Sequence, residues 1–144
     1  MSRENVDLVK SIYDAVNRRN FDAVLERLDD RLEWIEPGPP GMPTMVFTKE
    51  RVATELFPVF TLFMPDIQMV MDGFFDAGDD VIATGRFVGH DAQGAEHAIA
   101  VANFWRVGDG RVVRMQSYVD TAAFLLATGW TLQPPATFPG FASR

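Results

Sequence analysis

From Asp66 onward the chain alternates between strand-length runs and tight turns, and nothing else in it constrains the fold as strongly. Ala77-Gly78-Asp79-Asp80, the segment 91–95 and Gly108-Asp109-Gly110 carry the Gly and Asp residues that hairpin corners favour. The runs between them predict strands over 67–76, 81–90, 96–107 and 111–119, joined as an antiparallel meander. Such a sheet buries one face and leaves the other to solvent or a partner, so a second layer has to come from elsewhere in the chain.

The first half of the sequence supplies that layer. Val6, Val9, Ile12, Tyr13 and Val16 recur at helical spacing, with Ser2 as a capping residue and Arg18 and Arg19 in the last turn. A short second helix is expected over 22–28, with Val24, Leu25 and Leu28 inward, then a strand over 31–36 and a Pro/Gly loop over 37–43. Thr48 is placed to cap a third helix running to about residue 63, with Val52, Leu56, Phe60 and Phe63 on one side and a kink at Pro58, whose ring clashes with the preceding turn. Asp120 caps a short helical tail beginning Thr121-Ala122-Ala123. Helices followed by a meander give an α+β architecture, and 144 residues make a single domain over 1–144 that buries roughly 70% of its unfolded surface.

Composition removes several functions. The net charge of −7, with no Lys/Arg block, disfavours nucleic acid and anionic membrane as partners, since both need clustered positive charge. With no cysteine, thiolate nucleophiles, disulfides and Cys-bound zinc are excluded. No signal-like N-terminal core and no apolar stretch of membrane-spanning length is present, so a soluble cytoplasmic protein is expected.

Chemistry concentrates at the end of the first strand. In Leu32-Glu33-Trp34-Ile35-Glu36-Pro37, alternation puts Trp34 and Glu36 on one face, and Pro37 holds Glu36 extended. Beside an indole and out of water, the Glu36 carboxyl is the best candidate for a tuned base; a solvated strand end or an ion pair with Arg86 are the plainer readings. In the segment 96–107, His97, Ile99, Val101, Asn103 and Trp105 share one face and Ala98, Ala100, Ala102 and Phe104 the other. The small-residue face suits packing against a second sheet, which points to a homodimer. His90 and His97 flank an acidic turn but form no i, i+4 ligand pair, so no metal site is assigned. Met64, Met69 and Met71 read as adaptable pocket lining.

The order of elements, together with Tyr13-Asp14-Ala15-Val16-Asn17, the Leu32 to Pro37 stretch, Phe104-Trp105-Arg106-Val107-Gly108-Asp109-Gly110-Arg111-Val112-Val113 and Tyr118-Val119-Asp120-Thr121-Ala122-Ala123, resembles the NTF2-like superfamily and within it the SnoaL-like relatives of polyketide cyclases. The resemblance implies an α+β cone, or cystatin-like α+β barrel, in which a curved antiparallel sheet wraps around the N-terminal helices and encloses an apolar pocket. It implies no cofactor and a hydrophobic small-molecule ligand. By comparison with such relatives, His97, Ile99, Val101, Asn103 and Trp105 are expected to face the pocket, with Thr84, Arg86 and Val88 on the preceding strand and Met115, Ser117 and Val119 on the following one; Trp34, on the face of Glu36, is expected to line it too.

The resemblance also distributes roles. Ketosteroid isomerase, a general example of tuned carboxyl groups, sets an Asp base against a Tyr and a protonated Asp. Glu36 falls on the base position, Tyr13 on or near the tyrosine, and Asn103 where the protonated acid would stand, keeping a hydrogen-bond donor. In limonene-type epoxide hydrolases an Asp-Arg-Asp set activates water; Thr84, Arg86 and Ser117 stand there, without either carboxylate. Ser117 likewise replaces the Asp of SnoaL-type cyclases. Two functions follow as expectations: a cofactor-independent isomerase- or cyclase-type enzyme moving a proton on a cyclic carbonyl compound, or a non-catalytic binding protein for an apolar molecule.

Overall fold

The computed structural model describes residues 2–38 and 43–129. Residues 39–42 of the Pro/Gly loop, the C-terminal segment 130–144 and the Phe60 side chain lie outside the described residues. The elements run α1 (Ser2–Asn17), α2 (Phe21–Glu26), β1 (Leu28–Glu36), β2 (Met45–Phe47), α3 (Lys49–Arg51), a π-helical turn (Val52–Leu56), α4 (Phe57–Phe63), β3 (Gln68–Ala77), β4 (Asp80–His90), β5 (Glu96–Gly108), β6 (Arg111–Val119) and α5 (Thr121–Thr128). These six strands form one curved, unclosed sheet in the order β2-β1-β6-β5-β4-β3, and the fold is α+β as expected.

The expected meander is present from β3 to β6, every neighbour antiparallel. Arg27 closes α2, so Leu28 begins β1 instead of ending the second helix. β1 then runs parallel to β6, with Trp34 opposite Met115 and Ile35 opposite Gln116. The short β2 was not legible in the sequence; it pairs with the end of β1, Glu36 opposite Met45.

α1 lies across the inner face, burying Val9, Ile12, Tyr13 and Val16 against Leu28, Trp34, Val81, Trp105 and Met115. The helix begins at Ser2, whose side chain, expected to cap it, lies outside the described residues. The two arginines expected in the last turn lie beyond it, because Arg19 takes a positive φ of 59° that ends the helical path. The Arg19 guanidinium instead donates to the carbonyls of Pro65 and Ile67, while the Asn17 side chain exchanges two hydrogen bonds with the Met69 backbone, tying the end of α1 to β3.

Thr48 caps α3 by accepting from Arg51 N–H, and Asp120 caps α5 by accepting from Ala123 N–H, as expected. At Pro58 the chain avoids the clash with a wide turn: Phe57 N–H bonds the Val52 carbonyl five residues back, and Pro58 falls in the first turn of α4, where no N–H is needed. A smaller apolar cluster, Met64, Ile67, Phe87, Ile99, Val101 and Ala127, packs between α5, the end of α4 and the sheet.

Candidate active site

Four strands bring the site residues into one row on the inner face. Ile35 opposes Gln116, which sets Glu36 beside Ser117; Asn103 opposes Ser117, and Ala83 opposes Asn103. Tyr13 descends on this row from α1. Its hydroxyl oxygen accepts from Asn103 Nδ2 at 2.8 Å and from Trp105 Nε1 at 3.0 Å. Trp105 stands edge-on to both Tyr13 and Trp34, with ring centroids 5.6 and 5.4 Å away, an arrangement that locks all three rings.

Trp34 Nε1 donates to Glu36 Oε1 at 2.6 Å, the same-face contact that two-residue alternation predicts. Glu36 is half-buried as a residue, and desolvation falls on its carboxyl group. Burial therefore pushes that carboxyl up from 4.5 to about 7, against the opposing hydrogen bond from Trp34 and a smaller contribution from Ser117. Burial also pushes the Tyr13 hydroxyl far above its ordinary value; the bonds from Asn103 and Trp105 oppose this and the nearby Glu36 reinforces it. Glu36 is thus poised to exchange a proton near neutrality, whereas Tyr13 stays protonated.

Glu36 and Phe87 belong to the walls of two cavities. The outer one, of about 130 Å³, is lined by Met45 of β2, Leu56, Val59, Phe63 and Met64 of the α4 region, Ile67, Ile99, Val119, and Phe124, Ala127 and Thr128 of α5. No Lys, Arg or His is among these described lining residues. The inner one, of about 20 Å³, lies among Tyr13, Trp34, Glu36, Asn103, Trp105, Met115 and Ser117, with Ile12, Val16, Phe57 and Met69 around them.

Of the expected site residues, Glu36, Tyr13, Asn103, Trp34, Trp105 and Ser117 meet at the inner chamber, and Val119 lines the outer cavity. Val101 is buried in the cluster next to it. His97 shares the inward parity but sits at the hairpin end, where Nε2 is bonded to Asp91 Oδ2 at 2.7 Å, and it is not among the described lining residues.

Arg86 is a correction. It opposes Ala100, and Thr84 opposes Ala102, so both stand on the outer face; Arg86 is exposed, with its ion-pair contact to Asp72 at 4.0 Å. It is no partner of Glu36, and the hydrolase-like reading of Thr84, Arg86 and Ser117 loses its geometry with it. Phe87 takes the inward place instead, opposite Ile99. The five-residue turn 91–95 carried the signal: it pairs His90 with Glu96, and counting back from there places Arg86 opposite Ala100. Of the methionines, Met64 lines the outer cavity and Met69 the inner chamber, while Met71 is partly buried core.

A curved sheet with a helix across its inner face and a carboxyl group at the junction of two cavities invites comparison with known domains. Residues 9–115 match the SnoaL-like domain. This chain belongs to the SnoaL-like family. Comparison with curated proteins gave no match. Among solved structures, an NTF2-like protein from Burkholderia thailandensis E264 is 27% identical, with a TM-score of 0.75 over 90% of this chain and 97% of that one. TerC, co-crystallised with polyporic acid, is 20% identical, with a TM-score of 0.76 over 88% of this chain and 98% of that one. IdmH of Streptomyces antibioticus, described as a candidate polyketide cyclase, is also 20% identical, with a TM-score of 0.74 over 85% and 96%. At these identities, TerC and IdmH show only that the fold, which is NTF2-like, is shared.

Proposed function

We propose that this SnoaL-like protein takes a neutral, hydrophobic, cyclic carbonyl compound into its outer cavity and moves a proton on it with Glu36, without a cofactor. The observation that carries this reading is the Glu36 carboxyl at the wall shared by an apolar cavity and a polar chamber, with its proton affinity raised to about 7. An anionic ligand is disfavoured, since it would meet Glu36 with no cation among the described lining residues to offset it.

The ionised Glu36 takes a proton from the carbon next to the carbonyl, and the electron pair passes into the carbonyl to form an enolate. Where the enolate is conjugated with a carbon–carbon double bond, returning the proton to the far end of that system completes an isomerisation; attack of the enolate carbon on a second carbonyl of the same molecule, whose oxygen then takes the proton back from Glu36, completes a ring closure. The inner chamber admits little more than one oxygen atom, and Tyr13 supplies the donor there. Because Asn103 and Trp105 both donate onto the Tyr13 oxygen, they polarise its remaining O–H towards the developing charge. Asn103 then acts through Tyr13 as a positioning residue.

Deuterium wash-in from D2O into the acidic carbon positions of a panel of hydrophobic cyclic ketones, followed by NMR, tests the reading. Glu36→Gln should abolish exchange and leave ligand binding in place; exchange at the wild-type rate in that variant sinks it. The second reading, a binding protein without chemistry, is favoured by Ser117, where cyclase relatives carry a catalytic Asp. Binding that survives Glu36→Gln, with no exchange in either protein, supports that alternative. We also propose that the outer face bearing Ala98, Ala100, Ala102 and Phe104 pairs with a second copy of the chain; Phe104 and Tyr118 there are 39% and 54% exposed.

A further inference from the structure

The inner chamber contains an imbalance that the proton-transfer reading does not use. Asn103 is only 4% exposed, and its Oδ1 is buried with no hydrogen-bond partner. Tyr13, equally buried, already accepts two N–H donors at its oxygen, so its own hydrogen has to point elsewhere. The residues that carry this orphan acceptor and this surplus donor line the same small space, and Glu36 and Ser117 are the other residues of its wall with a carboxyl or hydroxyl group.

We propose that this chamber is a binding site for a single water molecule. Its volume of about 20 Å³ exceeds the roughly 10–15 Å³ that one water requires, and its polar groups supply the partners of one. The water accepts from the Tyr13 hydroxyl, donates to Asn103 Oδ1 and turns its second hydrogen to the Glu36 carboxylate. Three partners is the usual number for a buried water. Reversing the Asn103 amide does not remove the site: Tyr13 then donates to Oδ1, the amide nitrogen donates to the water oxygen, and the water donates to the Tyr13 oxygen that Asn103 no longer occupies.

This water joins Tyr13 and Glu36, which belong to α1 and β1 and share no direct hydrogen bond among those described. It also marks the position that a ligand oxygen takes when it enters past Glu36, and in that respect the inference rests on the proposed function. Occupancy in the ligand-free protein does not.

The test is a high-resolution crystal structure of the ligand-free protein, together with oxygen-17 magnetic relaxation dispersion on the wild type and Asn103→Leu. The expected result is one solvent peak within about 2.7–3.2 Å of both the Asn103 amide and Tyr13 Oη. The dispersion amplitude should fall by one long-lived water in the variant. A wild-type chamber without solvent density overturns the proposal, even if Asn103→Leu does not fold, and so does an unchanged amplitude in a folded variant. If the chamber is dry yet Glu36→Gln abolishes deuterium exchange, the water falls and the proton-transfer reading stands. If the water is present and Glu36→Gln exchanges normally, the reverse holds.

Discussion

Glu36→Gln should make the protein more stable at alkaline pH and change little in acid. The folded protein holds the Glu36 proton up to about pH 7, whereas the unfolded chain releases it near the ordinary value of 4.5. Between these two values the folded state binds more protons than the unfolded one, so stability falls as pH rises through that window. Below it both states are protonated and nothing is lost; above it the full penalty applies. At 1.36 kcal/mol per pH unit the penalty reaches roughly 3 kcal/mol, an upper bound because Glu36 is half-buried and not sealed from water. Gln removes the titration while its amide oxygen still accepts from Trp34 Nε1.

Urea unfolding of both proteins at about pH 5 and about pH 8 isolates the term, because every other titrating group cancels in the double difference. The wild type should lose roughly 2–3 kcal/mol more than the variant between those two conditions. Equal losses would show that the carboxyl is not desolvated in the folded protein, and would remove the physical basis for a base poised near neutrality.

Three further outcomes are expected. Trp34→Phe deletes the hydrogen bond that favours the ionised carboxylate, so a carbon-13 NMR titration should place the Glu36 midpoint higher by about one to two pH units, and any Glu36-dependent turnover should shift upward with it. Tyr13→Phe leaves the buried N–H groups of Asn103 and Trp105 without their acceptor and should cost about 1–3 kcal/mol for each, read by chemical denaturation. Phe104→Arg places charge in the proposed sheet-to-sheet contact and should convert a dimer to a monomer in sedimentation velocity; an unchanged wild-type dimer would move the interface elsewhere.

What could be read from the sequence depended on whether local chemistry or distant pairing decides a position. The three hairpin corners, the caps at Thr48 and Asp120, and the shared face of Ile99, Val101, Asn103 and Trp105 are written in neighbouring residues, and all are found; that this face is the inward one came from resemblance. The inner face of β4 is harder to see, because Gly85 and Gly89 occupy two of its inward positions and interrupt the apolar run of Val81, Ala83 and Phe87. Gly85 is there for space: a Cβ would stand 2.7 Å from the Met71 Cα, where β3 passes close. β2 is three residues long and has meaning only against β1, so no periodicity could show it. The Glu36, Tyr13 and Asn103 grouping came from resemblance; that Asn103 bonds to Tyr13 instead of standing free beside it is a fact of packing alone.

The parallel pairing of β1 with β6 has a consequence for how the molecule is made. The meander strands join through short turns and can zip locally, but β1 meets β6 only after the intervening chain has been folded back, which closes by far the longest loop among the strand pairings. Glu36 and Ser117 are brought together by that late closure. The prospective base is therefore expected to remain in water while the rest of the sheet forms, and to acquire its unusual proton affinity only at the end of folding. Pulsed hydrogen exchange should show β4 and β5 amides protected before those of β1; simultaneous protection would contradict this order.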